Sequence, residues 1–243
     1  MKDLKMIFII PCKYNEYCLV EECVSSIKKY HPEDMIVVVD SDSEDKSYFK
    51  RLPDTVVVED IANKNYEAGA FWYVTEKYIS DYYILLQDSM ILKKNIDEYI
   101  NGSKFKNFIN FYENENTQTM IYSGVSKEAY LSRIDEMIGD FKYPEYQNEN
   151  FTGVFGCNMI VSRELVMEFI QHNLNKTLIP ENKFDSEIAE RAFGIAAKRL
   201  GIKVAGETII GNLHQLQRDY FDEKERILYT DVLNKKWVSQ HRQ

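Results

Sequence analysis

The sequence predicts a single α/β domain with a Rossmann-like, mostly parallel central sheet flanked by helices. Three observations lead there. Short apolar runs alternate with segments of helical spacing through the front of the chain, which is the pattern of repeated βαβ units with strands buried on both faces. Crossovers in such units are right-handed, so the order of elements all but dictates a doubly wound sheet. Of the 243 residues 44% are hydrophobic, with only 10 Gly and 5 Pro, which suits one compact core and excludes a disordered chain. One domain is expected over 1–243, with a front half at 1–92 and a less regular back half at 93–243.

Met6–Ile10 is an apolar run ended by Pro11 and reads as a buried strand. Glu16–Tyr30 places Leu19, Val20, Cys23, Val24 and Ile27 at helical spacing and closes at His31-Pro32. Met35–Val39 is a second buried strand that runs into Asp40, Asp42, Glu44 and Asp45. A short helix through Tyr48–Arg51 ends at Pro53. Thr55–Val58 is a third strand, Tyr66–Ile79 a helix, and Tyr82–Leu86 a fourth strand ending at Gln87-Asp88. In the back half, Met120–Ser123 and Val154–Val161 read as strands, and Arg163–His172 and Ser186–Leu200 as helices. Lys203–Ile210 reads as a strand and Asp222–Val238 as a polar terminal helix. Asn114–Thr119 and Tyr143–Asn150 are polar loops too short to link domains.

Charge narrows the partners. Lys+Arg 30 against Asp+Glu 39 gives −9, a field that repels phosphate backbones and argues against nucleic acid. An anionic small substrate then needs a local basic group or a metal ion. Cys12, Cys18, Cys23 and Cys157 show neither CxxC spacing nor a disulfide framework, so reduced thiols are the reading. With no signal-like run and no transmembrane segment, the expectation is a cytoplasmic protein.

Ligands of an open parallel sheet bind outside the carboxyl ends of its strands. Pro11–Asn15, Asp40–Asp45 and Gln87–Ser89 fall at such ends. Acids after strands also cap helices, and Asp42, Ser43 and Asp45 read as caps at least as readily as site residues. Asp40 and Asp88 directly follow apolar strands, where a carboxylate has to be hydrated, hydrogen-bonded or on a metal.

IIPCKYNE, then VVVDSDSED, then YILLQDSM resembles, in order and spacing, the GT-A nucleotide-sugar glycosyltransferases, most closely the family 2 type. Further on, GVFGCNMIVSREL resembles that family's acceptor-side strand, and FDSEIAERAFGIAAKRLG the helix that follows its catalytic acid. GNLHQ resembles a segment that in many members supplies a metal-binding His. The resemblance implies a GT-A fold with 1–92 as the nucleotide-sugar-binding half and 93–243 as the acceptor-side half. It implies a donor (a UDP-, GDP- or dTDP-sugar), a glycan or other hydroxyl acceptor, and inverting transfer. By resemblance Asp40 meets the base or ribose, Tyr14 lies against the base, and Pro11, Cys12 and Asn15 line the pocket. Lys64, Gln87, Asp88 and Ser89 then lie near the diphosphate. Mn2+ or Mg2+ would bridge it, with Asp88 as first metal ligand and His214 as second. The chain departs from the family's DxD pattern, because Asp88-Ser89-Met90 lacks the second acid. Ser89 can hold a metal-bound water, whereas Met90 is no ligand for a hard ion.

An inverting transfer needs a base for the acceptor hydroxyl. The resemblance places an acid at the head of the late helix: Asp185 first and Glu187 second, with Glu190 one turn beyond on nearly the same face. Asp185 also reads as an N-cap, and spacing alone does not choose among the three. Two other classes stay open. A nucleotidyltransferase wants a Gly-rich phosphate loop, and PCKYNE has no glycine; a dehydrogenase lacks its GxGxxG for the same reason. A catalytically degenerate GT-A domain serving as a binding or scaffold module is consistent with Asp88-Ser89-Met90.

Overall fold

The computed structural model describes residues 5–15, 18–100, 102–113, 125–142, 151–219, 221–222 and 227–236. Strands β1 (Met6–Cys12), β2 (Met35–Asp40), β3 (Val56–Asp60) and β4 (Tyr82–Leu85) are parallel neighbours in the order β3-β2-β1-β4. Helices α1 (Val20–Tyr30) and α2 (Tyr66–Lys77) and a 3-10 turn at Ser47–Arg51 carry the crossovers. Side chains alternate between two cores. Ile7, Ile9, Val37, Val39, Tyr83 and Leu85 pack with Phe71 and Val74 of α2, while Phe8, Ile10, Ile36, Val38 and Ile84 pack with Val20, Val24 and Ile27 of α1. Burial on both faces is why these strands read as unbroken apolar runs.

Pro11 does not end β1. The Ile9 carbonyl accepts from Leu86 N–H on the β4 side, so Pro11, two residues on, turns its nitrogen to that side as well. The β4 pairing stops at Ile9–Leu85, and the missing N–H forfeits no ladder bond there.

Beyond β4 the sheet turns antiparallel. β8 (Met159–Ser162) lies against β4, followed by β6 (Phe105–Glu113) and β7 (Phe151–Val154), and β9 (Thr208–Asn212) runs parallel to β6. A second, antiparallel sheet joins β5 (Met90–Leu92) to β12 (Leu233–Lys236), β11 (Ile227–Tyr229) and β10 (Phe221–Asp222). The main back-half helices are α3 (Lys127–Ile138), α4 (Arg163–Gln171), α5 (Lys183–Arg199) and α6 (Leu213–Asp219).

Four expectations are corrected. The strand at Val154–Val161 is two strands broken by a 3-10 turn at Phe155–Cys157, where Gly156 takes φ 61°. Lys203–Ile210 opens with a 3-10 turn at Val204–Gly206 before β9 begins. The terminal helix is absent from the described part of 222–238, which forms β11 and β12 instead; β12 pairs with β5 and β11 with β12, and Leu228 and Leu233 are completely buried there. Asn182, not Asp185, caps α5, its Oδ1 accepting from Asp185 N–H at 3.0 Å. The strand expected at Met120–Ser123 lies outside the described residues.

α5 approaches β7 closely enough to require glycine. A Cβ on Gly194 would sit 2.0 Å from the Thr152 carbonyl oxygen. Alanine gains about 1 kcal/mol of helix propensity, but a Cβ that close to a backbone oxygen must push helix from sheet, an overpacking at the upper end of about 1–3 kcal/mol. Gly194→Ala is therefore expected to lower the thermal midpoint by several degrees; a midpoint unchanged or raised in calorimetry would contradict this packing.

Candidate active site at the switch point of the sheet

Chain order reverses between β1 and β4, and the carboxyl ends of the strands at such a reversal are where an open α/β sheet binds its ligands. Asp40 ends β2 fully buried. Its Oδ1 accepts from Ser43 N–H at 3.0 Å and its Oδ2 from the Tyr48 hydroxyl at 2.9 Å. Burial, with Asp40 alongside, pushes the Tyr48 hydroxyl well up. Tyr14 N–H donates to Ser43 Oγ at 2.8 Å, and the Tyr14 ring stacks on Tyr48 with centroids 4.8 Å apart. The Arg51 guanidinium sits 5.0 Å from the Tyr14 ring centre and also bonds its hydroxyl. Asp40 thus organises the two loops, while the half-exposed groups at this end are Tyr14 and Arg51. Pro11 and Asn15 are half-buried, and Lys64 is solvent-exposed.

Asp88, 1% exposed, follows β4. The Cys18 thiol donates to its Oδ2 at 3.1 Å, and Cys12 Sγ lies 3.5 Å from Cys18 Sγ. Hydrogen bonding to Cys18, burial and Asp88 all push the Cys12 thiol up. These surroundings do not fit Mn2+ or Mg2+, which want several hard oxygen donors. Two sulfurs flank the only carboxylate of the cluster, and the next residues are Ser89 and Met90. His214 is exposed at the head of α6, its N–H on Asn212 Oδ1, and it does not join Asp88 in any cluster of potential ligands among the described residues.

A cation does reach this place from the far end of the chain. Lys235 of β12 stands opposite Met90 of β5, is 5% exposed, and donates to Gln87 Oε1 at 2.5 Å and to Ser89 Oγ at 3.3 Å. The Gln87 amide is oriented from both sides, its Nε2 donating to Glu67 Oε1 at 2.8 Å; its backbone N–H donates to Asn158 Oδ1 at 2.8 Å.

Gly156 lies directly beneath that amide. A Cβ there would meet Gln87 Oε1 at 2.7 Å and Asn158 Nδ2 at 2.6 Å, so the break between β7 and β8 requires glycine. Its N–H donates to Glu190 Oε1 at 2.9 Å. Burial raises the Glu190 carboxyl to about 7 and Glu67 adds to it, against the pull of Arg191, Lys183 and the Gly156 N–H. The Glu190 side chain nevertheless keeps 13% of its surface open. A carboxyl poised near neutrality with an open edge is suited to proton transfer.

The other two acids of α5 are placed differently. Both oxygens of Asp185 face Arg133 of α3, with Nε to Oδ1 at 2.8 Å and Nη2 to Oδ2 at 2.7 Å, and Glu181 N–H adds a bond at 3.0 Å. Burial alone would raise this carboxyl, but Arg133 and the Glu181 amide outweigh it and hold it below the usual range. Glu187 is more open and stands 3.8 Å from Lys183. The expectation of Asp185 as base meets a carboxylate committed to an ion pair.

Lys235, Glu67 and Arg133 have no place in the motif series, and Asn158 falls inside GVFGCNMIVSREL without being singled out. Only Gly156 carried a signal, as a glycine inside an apparent strand. No helix among the described residues is long and apolar enough to cross a membrane.

No protein-family model matches the sequence, and no curated protein matches it. Solved structures are similar at low identity. A structure of S. aureus TarS 1-349 with UDP is 15% identical with TM-score 0.43, over 78% of this chain and 55% of that one, so the chain spans about half of TarS 1-349. Glucosyl-3-phosphoglycerate synthase from Mycobacterium tuberculosis, with Mn2+, UDP and phosphoglyceric acid, is 13% identical with TM-score 0.41, over 84% and 81% of the two chains.

Asp185→Asn removes half of the Arg133 pair and should cost about 1.5–3 kcal/mol, as for bonds to charged groups. A lowered carboxyl stabilises the fold above its unfolded-state value and loses that contribution as pH falls through its folded one. Wild type should therefore lose stability in strong acid, and the variant should lose less. Parallel stability–pH curves for the two would contradict the pairing.

Proposed function

We propose that the chain is a glycosyltransferase moving a sugar from a nucleotide-sugar donor to a hydroxyl acceptor with inversion. The reading rests on the ordered motifs at the ends of β1, β2 and β4, and the observation that carries it is Glu190. This carboxyl near neutrality is held beside the Gln87–Asp88 end of β4 by the Gly156 amide.

The nucleoside lies on the Tyr14 and Arg51 side, and the diphosphate at Ser89 and Lys235. Glu190 accepts the acceptor's proton as that oxygen bonds the anomeric carbon. The bond from that carbon to the diphosphate breaks, and its electron pair leaves with the nucleoside diphosphate. Lys235 supplies the positive charge that the leaving group needs in a protein of net charge −9.

Transfer and hydrolysis are measured with UDP-, GDP- and dTDP-sugars, and the matching nucleoside diphosphate is titrated calorimetrically in chelator. Glu190→Gln should lose about 10²–10⁴-fold in turnover with donor affinity kept. The rising limb of kcat/KM near pH 7 should vanish with it. Lys235→Met should bind nucleoside diphosphate roughly tenfold or more weakly and the bare nucleoside unchanged. Binding without any turnover on the three donors would move the chain to the binding-module reading. Failure to bind any nucleotide would end both readings.

A further inference from the structure

We propose that Cys12, Cys18 and Asp88 form a binding site for one thiophilic divalent cation of the zinc class. Their three donor atoms lie within 4.8 Å of one another, the only such group among the described residues. Tetrahedral zinc with bonds of about 2.3 Å to sulfur and 2.0–2.2 Å to oxygen sets neighbouring sulfurs about 3.8 Å apart and sulfur and oxygen about 3.6 Å apart. The observed edges are 3.5 Å between the sulfurs and 3.1 Å from Cys18 Sγ to Asp88 Oδ2, so a small outward shift admits the ion.

Each ligand comes from a different piece of the switch point. Cys12 is the last residue of β1, paired in register with Asp40. Cys18 is held by its N–H on the Asn15 carbonyl at 3.0 Å, and Asp88 follows β4. Cys12 is fully buried and Cys18 half-buried, so the ion enters from the Cys18 side. Two thiolates and a carboxylate around a divalent cation leave a net charge of −1, which the Lys235 ammonium, bonded to Ser89 next to Asp88, offsets. The donor set that rejects Mn2+ and Mg2+ is the one that soft and borderline cations prefer. Three protein ligands leave a fourth position open. The site does not depend on the glycosyltransferase reading, since it needs neither nucleotide nor turnover.

The test uses the full chain, stripped with chelator, kept reduced, and titrated with Co2+ as the spectroscopic probe and Zn2+ as competitor. A thiolate-to-cobalt charge-transfer band should saturate at one ion per chain and collapse on adding Zn2+. Loss of even an outer-shell partner costs about 10–100-fold in metal affinity, so Cys18→Ser should weaken binding by at least about tenfold and lose intensity in that band. Asp88→Asn should keep the band and weaken binding. Should Cys18→Ser fail to fold, wild type decides, because Zn2+ should slow iodoacetamide alkylation of Cys18, mapped by mass spectrometry. Absence of the band, an undiminished band in folded Cys18→Ser, or an alkylation rate indifferent to Zn2+ would overturn the proposal.

Discussion

The hydrogen bond from the Gly156 amide to Glu190 ties α5 to the break between β7 and β8, beside the end of β4. Its donor belongs to the break between β7 and β8, where positive φ and the close approach of Gln87 admit only glycine. Its acceptor belongs to α5, which the Gly194 contact presses onto β7. A carboxyl buried in apolar surroundings would be driven neutral, while a buried carboxylate needs donors. One backbone amide and the neighbouring Arg191, whose Nη1 lies 3.1 Å from Glu190 Oε2, leave Glu190 between those limits.

Around that contact the charges are arranged against the protein's own field. Lys235 is buried among Gln87, Ser89 and the Phe155 ring, 5.6 Å from its centre. Glu67 turns the Gln87 amide so that its oxygen faces Lys235, and accepts from Ser186 Oγ at 3.3 Å with its other oxygen, which ties the end of β4 to α5. Such groups keep their orientation before any ligand arrives, and preorganised charge is worth more in a shielded cleft than in water.

The parallel half of the fold was legible because β1, β2 and β4 are buried on both faces and, Asp40 at the end of β2 apart, apolar along their length. β6 was not, since Lys106, Asn107 and Asn110 interrupt its apolar pattern. Asn107 and Asn110 are buried nonetheless, their Nδ2 groups donating to the carbonyls of Val204 and Ala205. The C-terminal strands read as a polar helix because their partner, β5, lies far away in the chain. In the site, Asp40 and Asp88 stood out by following apolar strands, but what each carboxylate touches is a tertiary fact. Asp185 drew the base assignment by its place at the head of a helix, and only the fold brings Arg133 against it. Lys235 had no local signal at all.

The most direct measurement is a crystal structure of the chain with a non-hydrolysable nucleotide-sugar that binds it. The proposed glycosyl transfer requires the nucleoside over the ends of β1 and β2 beside Tyr14, the diphosphate on Lys235, and the anomeric carbon facing Glu190 with room between them for one hydroxyl. A nucleotide seated on another face, or a sugar turned away from Glu190 toward Asp185, would contradict it.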